Sequence, residues 1–299
     1  RDSGSLGMEK LSQQEIESLL AESPLTLPEE VFDAAPSTAA PYTTGKVKTS
    51  ALQAAADRLN ALRRIAGLPA VTLDLSLCEN AQYGAVIQAA NGSLDHYPDQ
   101  PAGMGDSFYQ QAKSASASSN LAAGHTLTGA VDAFMDDSDA SNIATLGHRR
   151  WQLNPTLGKV GFGYAVSGRG YSRYVAEKVF DRSGAGCDYD FIGWPASGSF
   201  PAQLFDGDTA WSVTLNPTAY QTAVKSALTV TLTRESDGRT WTFSSRGSDG
   251  FFNVTSSGYG EGYCVIFRPE GVDDYEGTYT VRIKGLKAAN GQSVEDFTY

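Results

Sequence analysis

The chain has 299 residues and a formal net charge of −11, with 41% hydrophobic and 19% charged residues. This composition supports a sizeable folded core and excludes a wholly disordered chain, and the length fits roughly two domains. The negative charge repels phosphate backbones and anionic lipid, so we expect no nucleic-acid partner. No apolar run is long enough for a membrane helix, and no transmembrane segment is predicted.

The cysteines leave disulfide pairing open. Cys78, Cys187 and Cys264 are an odd set, so at least one is unpaired within the chain, and their spacing matches no zinc motif. The chain begins at Arg1 rather than at methionine. Removal of a leader or lipid-anchor segment would explain this start, and so would a cloning boundary.

Residues 1–49 are predicted to form a helix and an extended linker. Ser12 and Glu15 have the spacing of a capping box, and Pro24 ends the apolar helical pattern. Residues 23–44 are rich in Pro, Ala, Ser and Thr, which is typical of an extended segment that lies across a neighbouring domain.

Helical periodicity then predicts three helices, near 50–66, 74–91 and 126–137. An alternating pattern at 160–164, a glycine-containing turn and a return strand over 171–180 predict a hairpin. Helices followed by a hairpin indicate a layered domain of mixed α and β structure, which we place at 50–183.

Residues 184–299 are predicted to be β-rich. Several short alternating segments are separated by turn signals such as Asp249-Gly250 and Asn290-Gly291. This pattern favours a small β-sandwich, for which an immunoglobulin-like arrangement is one form.

Four segments resemble the CAP superfamily, which contains the cysteine-rich secretory, antigen 5 and pathogenesis-related proteins. The fourth segment has Gly-His-Arg at 147–149, Leu-Asn-Pro at 153–155 and Val-Gly-Phe-Gly at 160–163, and it is similar to bacterial members. The resemblance implies an α+β chain in which an α/β/α sandwich precedes the β-sandwich. The other segments lie at 59–69, 94–97 and 120–135.

The same resemblance implies a cleft that two histidines and two acids line in members with a complete site. It places the histidines at His96 and His148 and one acid at Asp137. The second acid would precede Asn120, where Ser119 stands instead. The predicted cleft therefore comprises His96, Ser119, Asp137 and His148, with one carboxylate missing.

His96 and His148 are candidate zinc ligands, but a catalytic zinc usually has three protein ligands. We therefore expect weak zinc binding at most, and we assign no cofactor and no catalytic residue. His125 could approach the cleft in place of the missing acid, or lie at the surface where a helix starts. Ser119, His96 and Asp137 are the residue types of a serine hydrolase, but no Gly-x-Ser-x-Gly elbow surrounds the serine.

The leading hypothesis is a secreted or cell-surface bacterial protein that acts by binding. Its partner would be a lipid, a small molecule, a cell-wall component or another protein, held in the cleft that His96 and His148 line. A metal-assisted hydrolase using these histidines is the first alternative, and a structural or adhesive surface protein is the second. Binding is favoured because function depends on the site, and this site lacks an acid.

Overall fold

The computed structural model describes residues 10–299. Three of the six helices in this part begin at a residue whose side chain caps the helix. Ser12 and Glu15 form the predicted capping box, with each side chain accepting a hydrogen bond from the other residue's backbone N–H. Asp74 caps the third helix by accepting from Leu77 N at 2.9 Å, and a left-handed Gly92 ends that helix. The first nine residues of the predicted N-terminal segment lie outside this part. The helices are α1 (Gln13–Glu22), α2 (Thr49–Ile65), α3 (Leu75–Asn91), α4 (Asp106–Ala117), α5 (Leu127–Asp136) and α6 (Gly147–Gln152).

The N-terminal half is built on a four-stranded sheet with helices on both faces. A short two-stranded ribbon precedes it, and within the sheet only the first strand pairs in parallel. The ribbon consists of β1 (Phe32–Ala34) and β2 (Lys46–Val47), and the sheet of β3 (Thr72–Leu73), β4 (Ser119–Ala123), β5 (Lys159–Val166) and β6 (Arg173–Lys178), in the spatial order β3-β5-β6-β4. Strand β4 therefore forms one edge of the sheet.

Apolar side chains alternate between the two faces of this sheet. On one face Phe162 and Val175 join the core formed with α2 and α5. On the other face Leu121 and Ala176 pack under α3 with Ala85. The result is a layered α/β domain, as the periodicity predicts, in the α/β/α arrangement that the family resemblance implies.

Glycines allow α3 to lie directly on the sheet. A Cβ atom at Gly163 would lie 2.3 Å from Ala81 O, and one at Gly161 would lie 2.5 Å from backbone and side-chain atoms of Leu77. Both distances are far inside van der Waals contact. The alternation of glycine with large residues in β5 thus sets the distance between helix and sheet.

The predicted linker crosses the surface of the sandwich. Arg58 in α2 donates to Ser23 O at 3.1 Å, and the Thr128 hydroxyl in α5 donates to Leu25 O at 2.5 Å. The Phe32 ring packs 5.6 Å from that of Tyr164. The segment after α1 is therefore bound to the domain that follows it.

The C-terminal half is a sandwich of two antiparallel sheets. Its core includes Phe243 from one sheet and Phe267 from the other, with ring centroids 5.3 Å apart. The five-stranded sheet has the order β11-β10-β9-β14-β15 and the four-stranded sheet the order β12-β13-β8-β7. The strands are β7 (Phe191–Trp194), β8 (Trp211–Leu215), β9 (Thr229–Arg234), β10 (Arg239–Ser244), β11 (Gly247–Ser248), β12 (Gly250–Thr255), β13 (Tyr263–Pro269), β14 (Tyr279–Lys284) and β15 (Phe297–Thr298).

Arg149 connects the two halves. Its guanidinium is fully buried and donates to the carbonyls of Met135 and Asp136 at the end of α5. It also donates to Ala210 O at 2.7 Å and to the Ser212 hydroxyl at 3.0 Å, at the start of β8. An apolar cluster covers the same junction, with members Ile143, Leu146, Ala210, Cys264 and Ile266.

The predicted fold class is confirmed: helices and sheets are mixed in the first half, and a sheet-rich sandwich follows. The division at residues 183 and 184 into separate domains remains a prediction. Elements α4, α6 and β4 were not predicted. No helix within residues 10–299 is long and apolar enough to cross a membrane.

Candidate functional site

Asp137 and His148 form a direct pair. Asp137 ends α5 in the left-handed conformation, with φ of 47°, which turns its carboxylate toward the start of α6. Oδ1 accepts from His148 Nδ1 at 2.8 Å, and Oδ2 accepts from the backbone N–H groups of His148 at 2.9 Å and Arg149 at 3.3 Å. Both carboxylate oxygens are therefore occupied by donors of α6, whose first N–H groups need acceptors.

His96 lies on the exposed loop that follows α3. Its Nδ1 is 2.8 Å from Ser116 O, near the end of α4. No hydrogen bond within residues 10–299 joins His96 to His148, Asp137 or Ser119. The meeting of the two rings in one cleft remains a prediction.

The two histidines share one arrangement of ring nitrogens. A carbonyl or carboxylate oxygen can only accept, so the Nδ1 atoms of His96 and His148 both carry a proton. In the neutral imidazole this leaves each Nε2 as an acceptor, and neither Nε2 has a hydrogen-bond partner within residues 10–299. The His148 side chain is 22% exposed, so a ligand can reach it.

Ser119 and Asn120, neighbours on β4, have hydrogen-bond partners on opposite faces of the strand. The Ser119 hydroxyl is buried and donates to Ala115 O of α4 at 2.7 Å. Asn120 points to the opposite face of the strand, where its Nδ2 donates to His148 O at 3.2 Å and to Glu177 Oε1 at 3.0 Å. The predicted cleft residue Ser119 thus hydrogen-bonds to α4, while its neighbour supports His148.

Glu177 is a buried acid that the sequence reasoning missed. It lies on β6 directly across from Asn120 and is completely buried, and burial raises its pKa to about 8. Among the described residues, its Oε2 has no hydrogen-bond partner. The sequence carried a signal for this position. Glu177 lies two residues after Val175 and two before Val179, so an extended segment places it on the same inward face as these apolar residues.

The donor set does not fit a catalytic zinc site. His96 and His148 each offer one Nε2, and the Asp137 carboxylate already accepts three hydrogen bonds. Within residues 10–299, no group of three or more His, Cys, Asp and Glu side chains is placed to hold a metal ion. Two imidazoles alone fall short of the three protein ligands that catalytic zinc usually has.

His125 lines a pocket that contains none of the four predicted cleft residues. It is exposed and directly precedes Thr126, whose side chain caps α5 by accepting from Gly129 N at 3.1 Å. Its ring lines a separate pocket beside Asp132 and Asp136. His125 is therefore a surface histidine at the start of a helix, which was the second of the two predicted positions.

The N-terminal half is a three-layer α/β/α sandwich, and a histidine–carboxylate pair joins two of its helices. Residues 56–179 match the model of the CAP family, described as the cysteine-rich secretory protein family. The match covers less than half of the chain, and residues 180–299 lie beyond it.

Among solved structures, venom allergen-like protein 4 from Schistosoma mansoni is similar at 16% identity. The likeness covers 48% of this chain and 96% of that one, with a TM-score of 0.31, a value too low to carry an argument. No curated protein matches the chain significantly.

Proposed function

We propose that this protein is an extracellular binding protein whose ligand is held by His96 and His148. The CAP match over residues 56–179 supports a binding role in general. One observation supports the proposal most directly: both histidines use Nδ1 to hold their rings in place. His96 Nδ1 donates to Ser116 O and His148 Nδ1 donates to Asp137 Oδ1, both at 2.8 Å. Each ring is thereby oriented by the fold, with Nε2 directed away from its anchor.

The available Nε2 atoms suit a ligand that donates hydrogen bonds. Neutral Nε2 accepts from hydroxyl or amide groups, which are abundant in cell-wall components and in lipid headgroups. The Asp137–His148 pair has the arrangement of a general base, but the two histidines supply fewer ligands than a catalytic zinc usually has. Binding is therefore better supported than metal-assisted hydrolysis.

Soluble muropeptides are a direct probe, with histidine side-chain resonances as the readout. We expect their addition to shift the Nε2 resonances of His96 and His148 together, because one ligand contacts both rings. His96→Ala and His148→Ala should each weaken binding, while His125→Ala should leave it unchanged. Binding that survives the double replacement of His96 and His148 would refute the proposal.

A further inference from the structure

A tyrosine of the C-terminal half lies against the start of α6, next to His148. Tyr259 belongs to the loop that joins β12 to β13, and its ring packs on Gly147, the residue that directly precedes His148. A Cβ atom at position 147 would lie 2.8 Å from two carbons of this ring. A larger residue than glycine would therefore push the ring away from the helix.

The loop that carries this tyrosine is held on α6 by its own backbone. Arg150 donates through Nη2 to Ser257 O at 2.8 Å and to Gly262 O at 3.2 Å. Arg182 donates to Gly260 O at 3.1 Å. All three bonds end on loop carbonyls, so they do not depend on the tyrosine side chain.

The Tyr259 side chain keeps exposed surface and an available hydroxyl. It is 36% exposed, although its ring packs on Gly147 and the Arg150 guanidinium lies 5.7 Å from the ring centroid. Its hydroxyl forms no hydrogen bond with another residue of the part that the structure describes. An aromatic ring fixed in this way beside a few available polar atoms is typical of ligand sites.

The groups offered here suit a sugar ring. His148 Nε2 can accept a hydrogen bond, the Tyr259 hydroxyl can donate or accept one, and the aromatic ring offers a flat apolar surface. A pyranose has hydroxyls around its rim and C–H groups on its faces, so it can use all three. The net charge of −11 repels anionic headgroups, which disfavours a phospholipid.

We propose that Tyr259 and His148 together bind one sugar ring of an uncharged glycan. This inference rests on the proposed function and narrows its ligand to one chemical class. The C-terminal half then takes part in recognition, because its loop supplies the aromatic surface of a site whose imidazole comes from the N-terminal half.

Tri-N-acetylchitotriose is the probe, with the His148 Nε2 and Tyr259 ring resonances as the readout. We expect both to shift with one dissociation constant on the order of 1 mM. Tyr259→Leu keeps apolar packing on Gly147 but lacks the flat ring, so it should weaken binding about tenfold. Tyr259→Phe should retain most of the affinity. Val224→Ala removes another exposed apolar side chain of the C-terminal half and should change nothing.

The outcomes separate this inference from the proposed function. Equal affinity of Tyr259→Leu and wild type, with binding lost in His148→Ala, would overturn the role of Tyr259 and leave the histidine site intact. A His148 shift with phosphatidylglycerol vesicles or a free stem peptide, but not with chitotriose, would overturn the glycan class. No His148 shift with any of these probes would overturn the proposed function together with this inference.

Discussion

At the scale of single residues, the chemistry of the site depends on which polar atoms already form hydrogen bonds within the protein. The sequence motif placed Asp137 and His148 in related roles, and the structure brings them within 2.8 Å. The motif could not reveal that Asp137 also accepts the first N–H groups of α6, because a helix of six residues gives almost no periodic signal. Nor could it show Ser119 bonded to α4 rather than facing His148.

Zinc binding tests this account of Asp137. We expect titration calorimetry to give a dissociation constant weaker than about 1 μM, since two imidazoles supply too few ligands. No zinc-dependent ester or peptide hydrolysis should appear. A submicromolar dissociation constant that is lost when His96 and His148 are both replaced by alanine would contradict this expectation. It would mean that Asp137 gives up its hydrogen bonds to α6 and binds zinc as a third ligand.

The buried acid Glu177 makes stability depend on pH. Its folded pKa of about 8 lies above the ordinary value of 4.5, so between these values the folded state holds a proton that the unfolded state has released. Its contribution is complete below pH 4.5 and decreases by about 1.4 kcal/mol per pH unit up to pH 8.

Glu177→Gln should remove this dependence. The amide stays neutral and keeps an oxygen for Asn120, so we expect the variant to be more stable than wild type at pH 8 and similar to it at pH 4.5. Urea unfolding at both pH values measures the difference. Glu79→Gln, at an exposed position on α3, is the control. Parallel pH profiles for wild type and Glu177→Gln would mean that Glu177 ionises without penalty.

At the scale of elements, the sequence predicted those with strong periodic or capping signals. Helix α3 was bounded by Asp74 and Gly92, both of which act as caps. Helix α4 was missed because serines interrupt its apolar face, and β4 because Ser-Asn-Leu-Ala-Ala contains no β-branched residue. These elements are specified by packing against neighbours that a linear pattern does not show.

The close packing of α3 on the glycines of β5 can be tested by substitution. Gly163→Ala would place a Cβ 2.3 Å from Ala81 O, so α3 must move away from the sheet. We expect a loss of about 2 kcal/mol or more in the free energy of unfolding. Gly168→Ala, in the turn of the same hairpin with no atom within 4 Å of the new Cβ, should change it little. Equal effects in the two variants would exclude close packing as the cause.

At the scale of the whole molecule, the two halves share buried contacts although the sequence pattern changes between them. Ile143 and Leu146 belong to the N-terminal half, and both are buried against the C-terminal sandwich. Arg268 also donates to Ser138 O at 3.1 Å, across the same junction. Sequence periodicity predicts a boundary but cannot show contacts between residues so distant in the chain.

A fragment of residues 1–183 tests this coupling. It loses the Ala210 and Ser212 acceptors of Arg149 and exposes Ile143 and Leu146, each worth roughly 1.5–3 kcal/mol when buried. We expect the fragment to keep its helical circular dichroism but to unfold at a clearly lower urea concentration than the full chain. An unchanged midpoint would show that the junction adds no stability, and absence of helical signal would refute residues 50–183 as a domain.

The bonds of Arg149 also constrain how such a chain can evolve. An N-terminal half carrying this buried arginine cannot simply exchange its C-terminal partner by recombination, because any replacement must present a carbonyl and a hydroxyl where Ala210 and Ser212 now do. A partner without them would leave a buried cation short of acceptors. Descendants of this chain should therefore change the arginine and its two acceptors together or retain all three.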